Sequence, residues 1–429
     1  MTGQGAEGAR RVLLLATTTG YQTRMFAEAA ARLGVELIYA TDRCDQLDDP
    51  WRDHAIAVRF HEEWRSVDVV MKAVDKRPID AVLAVGDRPT VMAAHIARLA
   101  GVPWHPPEAA AAARDKRLAR ERFKSSGLPT PAFTAVPANV DPFSLVDRLS
   151  FPVVVKPTVL SGSRGVIRAD DALSFVTAFD RIRRLLASAE VRELRDPEAD
   201  VILIEEYIPG AEFALDGVVD HGTLRTLAIF DKPDPLEGPF FEETIYVAPS
   251  RVNVGIQKQI EETVAAAANA LSFYHGPIHA ECRVNPRGVY MLEAAARPIG
   301  GLCGKAVRLE HGAASIPLEE YLLRHALGEP MGEWRRESRA SAVMMIPIPR
   351  SGIFRGADGL DEARQLAHVE EIHITAKTGQ QLLALPEGAS YLGFIFARAD
   401  APEHAERAVR DAHARLRFTM DPLIPLALE

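Results

Sequence analysis

The chain has 429 residues, 47% of them hydrophobic and 25% charged, with a formal net charge of −9. That length exceeds one ordinary core and predicts several domains, and the acidic surplus on a soluble-type composition disfavours nucleic acid as the main partner. Cys44, Cys282 and Cys303 are too widely spaced for a disulfide framework or a zinc motif, and the first apolar run, VLLLA, is only a strand long, so a cytoplasmic protein with no signal peptide and no membrane span is expected.

RVLLLA (11–16) predicts a buried parallel strand. An alanine-rich helix from about Gln22 to Leu33 and the strand VELIYATD (35–42) complete a βαβ opening. IDAVLAVGD (79–87) and the helix PTVMAAHIARLAG extend it. The result is a small open α/β domain whose strand ends at Thr17–Thr19 and Gly86–Asp87 face one crevice. No GxGxxG fingerprint follows the first strand, so no dinucleotide is expected there. ARDKRLARERFKSSGLPTP (113–131) reads as a basic helix stopped at Gly127, and FPVVVKP (151–157) as a strand closed by Pro157. Residues 171–196 read as a charged helix. VILIEEYI, EFALDGVVD and TLRTLAIFDKP follow as strands, and 254–273 as a long helix. IHAECRV and GVYMLEAA predict a hairpin across NPRG. This middle region is α+β with antiparallel character. The polar stretch 328–340 marks a boundary, beyond which lie the short strands AVMMIPIP and GFIFARA and a terminal helix from 401 to 416.

Three stretches carry chemistry. In FPVVVKPTVLSGSRGV (151–166), Lys156 ends an apolar strand, and SGSRG can turn successive backbone N–H groups toward an anion, with Ser161, Ser163 and Arg164 as further donors. In VILIEEYIPGAEFALDG (201–217), strand alternation puts Glu205 and Tyr207 on one side and Glu206 and Ile208 on the other; such an edge can offer backbone groups to an adenine ring. Glu212 follows the Pro-Gly turn and can reach ribose hydroxyls. In HAECRVNPRGVYMLEAAARPIGG (279–301), Glu281 and Glu293 sit inside apolar strands joined by a tight turn. Two unpaired buried carboxylates are costly. Mg2+ would resolve that cost with hard oxygen ligands; salt bridges to Arg283 and Arg297 are the alternative. Arg297 can also neutralise a transferring phosphoryl group, and His279 can share the face of Glu281. Arg297, Lys156, His279 and Arg283 form the candidate catalytic set.

Taken together and in this order, the stretches resemble the ATP-grasp superfamily, and within it the carboxylate–amine ligases that include dipeptide-forming L-amino acid ligases. The resemblance covers nearly the whole chain. It implies a Rossmann-like pre-ATP-grasp domain over 1–112, one ATP-grasp lobe with the glycine-rich loop over 113–203, a second lobe with metal and substrate sites over 204–330, and a small α+β accessory domain over 331–429. Lys116 matches the first nucleotide-contacting lysine and Lys156 the second, with Gly162, Ser163 and Gly165 in the mobile loop. Glu205 would accept from the adenine amino group, Tyr207 and Ile208 would flank the base, and Glu212 would hold the ribose. Glu281 and Glu293 would ligate Mg2+ or Mn2+, and Arg297 would contact the phosphates and an acyl-phosphate intermediate. The family pattern E-x-N-x-R reads Glu293-Ala294-Ala295-Ala296-Arg297 here, so Ala295 cannot supply the third ligand. FDKPDPLEGPFFEETIYVAPSR (230–251) resembles the branch's substrate loop, with Asp231, Lys232, Glu243 and Arg251 as candidates for charged substrate ends, and SGIFRGADGLDEARQLAHVEEI resembles its final domain. The implied reaction joins a small-molecule carboxylate to an amine, with amino acids as expected substrates and ADP as a product. The family often forms homodimers.

Overall fold

The computed structural model describes residues 9–17, 22–42 and 55–423. Thr18, Thr19 and Cys44 lie outside them. The early alternation of apolar runs and amphipathic segments folds as β1 (Arg11–Ala16), α1 (Thr23–Leu33), β2 (Glu36–Thr41), β3 (Ile56–Ala57), α2 (Glu63–Val74), β4 (Ala81–Val85) and α3 (Thr90–Ala100). The strands are parallel in the order β3-β2-β1-β4. β4 is buried along its whole length and β1 along nearly all of it, which is why both are unbroken apolar runs.

Where the sequence predicts one basic helix, the chain makes α4 (Pro107–Arg114) and α5 (Lys116–Ser125). Asp115 between them is extended, and its carboxylate caps α5 by accepting from the amides of Arg117 and Leu118. The break sets Lys116 in the first turn of α5, its own amide donating to the Thr158 carbonyl at 3.1 Å. β5 (Phe133–Pro137), β6 (Val153–Pro157), β7 (Ile167–Ala169) and β8 (Val201–Glu206) make an antiparallel sheet in the order β5-β8-β6-β7. α6 (Ala172–Leu186) and α7 (Ala189–Glu193) belong to this lobe, whose core includes Phe175, Phe179 and Ile182. The helical prediction over 171–196 is interrupted at Ser188, which caps α7.

The third layer is one eight-stranded sheet. Its first members are β9 (Ala211–Asp220), β10 (Thr223–Asp231), β11 (Ile245–Ala248), β12 (Gly276–Asn285) and β13 (Gly288–Ala295), with α8 (Val254–Leu271) between β11 and β12. A small sheet of β14 (Arg308–His311), β15 (Ala314–Pro317) and β16 (Arg335–Arg336) follows, with α9 (Leu318–Ala326) between its last two strands. The last segment holds β17 (Ala340–Ile346), β18 (Gly352–Asp358), α10 (Leu360–Arg364), β19 (Val369–Ile374), β20 (Gln381–Leu382), β21 (Gly393–Ala399), α11 (Pro402–Arg415) and β22 (Arg417–Pro422). The eight-stranded order is β13-β12-β9-β10-β11-β17-β21-β19, so the last segment lends three strands to the sheet begun at residue 211.

β11 lies within the stretch resembling a substrate loop. All four of its residues are buried, and they pair in register with β17, so this part of the stretch is sheet interior and not a loop. β22 lies past the predicted terminal helix, where no element is expected; it returns to pair with β18. Among the described residues no helix is long and apolar enough to cross a membrane.

Candidate active site

A cavity of about 730 Å³ opens where the three layers meet. Its lining includes Asp87 after β4, Lys116 at the start of α5, Lys156 on β6, the loop 161–164, the hinge 205–208, Glu281 and Glu293 on the β12–β13 hairpin, and Arg297. The last segment contributes Glu387 to Tyr391.

The loop after β6 takes its shape from left-handed residues: Gly162, Ser163 and Gly165 have φ of 65°, 56° and 73°. A Cβ on Gly165 would come within 3.0 Å of Pro157, so the backbone approaches β6 only as glycine. The Gly165 amide donates to the Pro386 carbonyl at 2.8 Å, which seats the loop on the last segment. Arg164 departs from its sequence-based expectation. It grips Glu190 through two bonds of 2.8 Å and donates to the Glu387 carbonyl at 2.7 Å, so the loop presents backbone groups and serines instead of a free cation.

Lys156 reaches Glu205 at 2.5 Å, and the fully buried Arg120 lies 2.7 Å from the same carboxylate. Burial pulls the Lys156 ammonium down to about 8, against the support of Glu205, with Arg120 and Lys116 adding repulsion. Burial alone would raise the Glu205 pKa, but the two cations hold it below the usual carboxylate range. The structure therefore revises the adenine-reading role of Glu205: its carboxylate is engaged by Lys156 and Arg120, and what the strand end offers is backbone. Arg120 is absent from the sequence-based set, although its i, i+4 spacing from Lys116 on a helix was a signal for it.

Arg283 also differs from expectation. Its Nε donates to Glu212 at 2.9 Å and its Nη1 to the Ile208 carbonyl at 2.8 Å, while the guanidinium lies over the rings of Tyr207 and Phe241. It clamps the hinge from the cavity wall. Glu206, by contrast, is the last residue of β8 and is exposed. Gly210 makes the hinge possible: at φ 125°, a Cβ there would sit 2.2 Å from the Val284 carbonyl.

Glu281 and Glu293 face each other in register across β12 and β13. Glu293 lies 3.6 Å from Lys116, whose ammonium also donates to the Leu160 carbonyl at 2.7 Å. Glu281 is held from the other side by Lys232 at 3.0 Å, and Lys232 also binds Glu212 at 2.9 Å and Glu243 at 2.6 Å. Burial disfavours charge on Lys232, yet the three carboxylates keep its pKa well above the usual lysine value. Glu243 pays no such dividend: burial and the nearby Glu281 push it up to about 7 despite Lys232. His279 bridges Asp216 at 3.2 Å and Glu281 at 3.5 Å; burial opposes its charge, but these partners raise it to about 9. Arg297 closes on Asp87 at 2.8 Å and 3.3 Å. Two carboxylates in register on the cavity wall, each with a cationic neighbour, suit a hard divalent ion that also takes phosphate oxygens.

Asp231 and Arg251, candidates for substrate ends, are not brought to the cavity. They pair with each other at 2.7 Å, and Arg251 continues to Glu406 on α11. Cys282 and Cys303 are buried thiols whose pKa burial raises far above the ordinary value.

Comparison with known proteins gives the class. A family profile described as an ATP-grasp domain matches residues 149–306, and one described as L-amino acid ligase C-terminal domain 2 matches 344–421. Residues 149–306 therefore form an ATP-grasp domain and residues 344–421 an L-amino acid ligase C-terminal domain. The crystal structure of an L-amino acid ligase from Bacillus licheniformis superposes with a TM-score of 0.81 at 26% identity, covering 97% of this chain and 100% of that one. The protein y4rH of Sinorhizobium fredii is 21% identical over 98% of this chain and 85% of its own length. Alanine–anticapsin ligase of Bacillus subtilis is 27% identical over 45% of this chain, which spans only 43% of that relative's length.

Proposed function

We propose that this chain is an ADP-forming carboxylate–amine ligase that joins amino acids, or an amino acid and another amine, through an acyl phosphate. The observation that carries the reading is the convergence of Lys116, Lys156, Glu281, Glu293, Arg297 and the loop residues 161–164 on one cavity from different layers. In this reading the loop amides and Lys156 bind the triphosphate, and the 206–208 backbone flanks the base. Glu281 and Glu293 would hold Mg2+, which supplies charge neutralisation at the phosphates when bound. Arg297, kept rigid by Asp87, stabilises charge on the transferring phosphoryl group. The substrate carboxylate attacks the γ-phosphorus, ADP leaves, and the amine then displaces phosphate from the acyl carbon. The closed loop and residues 387–391 exclude water from the reactive mixed anhydride. The acidic wall of Glu243 and Glu281 suits an ammonium-bearing substrate end. Cytoplasmic residence fits the ATP requirement and the free thiols.

The test is ADP release with ATP and Mg2+ across pooled amino acids, with mass spectrometry of the products. Substrate-dependent ADP together with a product of two substrate masses less water is the expected result. ATP binding without any substrate-dependent ADP would overturn it and favour a non-catalytic reading, for which the observation is Ala295 at the third ligand position of the family pattern.

A further inference from the structure

A second cluster of ligating groups lies at the opposite end of β9 from Glu212, on the order of 25 Å away along the strand. Asp220 ends β9, His275 immediately precedes β12, and His325 sits in the last turn of α9. One ligand atom from each of the three lies within 4.8 Å of the other two. Asp220 Oδ1 is 3.3 Å from His275 Nδ1 and 3.8 Å from His325 Nε2. The edge of a tetrahedron built on metal bonds of about 2.0–2.1 Å is roughly 3.4 Å, so these separations already approach the spacing that one ion would impose.

The two rings are 2% and 4% exposed and stack at 4.2 Å, yet both nitrogens of His275 and Nε2 of His325 lack an aligned hydrogen-bond partner. Buried polar atoms left this way are costly. A shared cation removes the cost for all of them at once. His221 stands next to the group, its Nδ1 2.7 Å from Asp220 and its ring 5.0 Å from that of His275. It is held there by the two-residue turn His221–Gly222, both in the left-handed region, that joins β9 to β10. Asp220 and His221 are exposed and give an ion a way in.

We propose that Asp220, His275 and His325 bind a borderline divalent transition ion such as Zn2+, with His221 or water as the fourth ligand. Two imidazoles and one carboxylate select such an ion over Mg2+, which prefers all-oxygen sites. The ion would tie the β9–β10 turn and the start of β12 to α9. Through the 3.0 Å pair of Glu320 on α9 with Arg32 on α1, the clip would also brace the N-terminal layer. The proposal does not depend on the ligase reading.

The test uses the full chain stripped with a chelator and titrated with Zn2+ in millimolar Mg2+, which occupies the carboxylate pair. One retained equivalent by elemental analysis and a rise in thermal midpoint are expected. His275→Gln and His325→Gln should each weaken binding by at least about 100-fold, whereas Glu281→Gln should leave it unchanged. Retention insensitive to both histidine substitutions, or no retention against Mg2+, would overturn the proposal. Should the histidine variants fail to fold, Co2+ added to the unaltered protein decides. An intense visible band of tetrahedral Co2+ without a thiolate charge-transfer band supports the site, and its absence rejects it.

Discussion

Arg297 and Asp87 join two layers of the molecule: the guanidinium that follows β13 meets a carboxylate that follows β4 in a two-bond pair facing the cavity. A cation proposed to meet phosphate has to be held without being quenched, and a partner from a different layer makes its position depend on how the layers are set. Asp87→Ala should lower kcat by about 10-fold or more while ATP still binds, because Arg297 loses its orientation and not its charge. Steady-state ADP release beside a nucleotide-binding titration checks this. Loss of nucleotide affinity in proportion to kcat would argue instead for a collapsed site.

Glu293→Gln should cost about 100-fold or more in turnover with little change in thermal midpoint. The side chain is partly open to the cavity and lies 3.6 Å from Lys116. Parallel loss of stability and activity would give it a structural role.

Among the described residues, Lys232 is the cation that bonds to all three of Glu212, Glu243 and Glu281. Lys232→Met should destabilise the fold by about 3–5 kcal/mol, since it leaves buried carboxylates facing one another. Mn2+ should restore part of the lost stability by taking the place of the ammonium. Denaturant unfolding with and without Mn2+ measures both effects, and equal stability of the variant and the parent would refute the assignment.

Glu319, near the start of α9, is 2% exposed, and burial pushes its carboxyl up to about 7 from 4.5. A raised carboxyl pKa means that the folded state holds the proton more tightly. Its contribution is therefore fully present below about pH 4.5 and is lost as pH rises through 7. Glu319→Gln should flatten the decline of stability between these limits and be the more stable protein at pH 8. Thermal midpoints across that range test the sign.

The loop 161–165 is seated on the last segment through Gly165 to Pro386 and Arg164 to Glu387, while Arg181 grips the Glu387 carboxylate from α6 at 2.5 Å. Glu387→Ala should expose the loop to limited proteolysis in the nucleotide-free protein several-fold faster, and ATP should restore protection. Unchanged cleavage would place the restraint in the backbone contacts alone.

Much of this was legible because the sequence writes burial and charge together. The unbroken apolar runs of β1 and β4 marked a parallel sheet, and glutamates inside apolar strands marked the β12–β13 hairpin, whose register does set Glu281 opposite Glu293. Side-chain partners were harder to read. Glu205, Arg283 and Arg164 look like ligand-facing groups in sequence, but each is claimed by a cation, anion or carbonyl supplied from far along the chain, and such pairing leaves no local pattern. β11 was hidden for a similar reason: a four-residue strand flanked by prolines and charges is recognisable only beside β17.

That partnership has a consequence for how the protein is made. β11 pairs with β10 through one residue pair and with β17 through four. During synthesis on the ribosome, the sheet that bears Glu281 therefore stays open along one edge until β17 emerges, and that edge in turn awaits β21. Nascent chains stalled before β17 should expose an unpaired, apolar strand edge and engage chaperones, even though every residue proposed to handle ATP has already been translated.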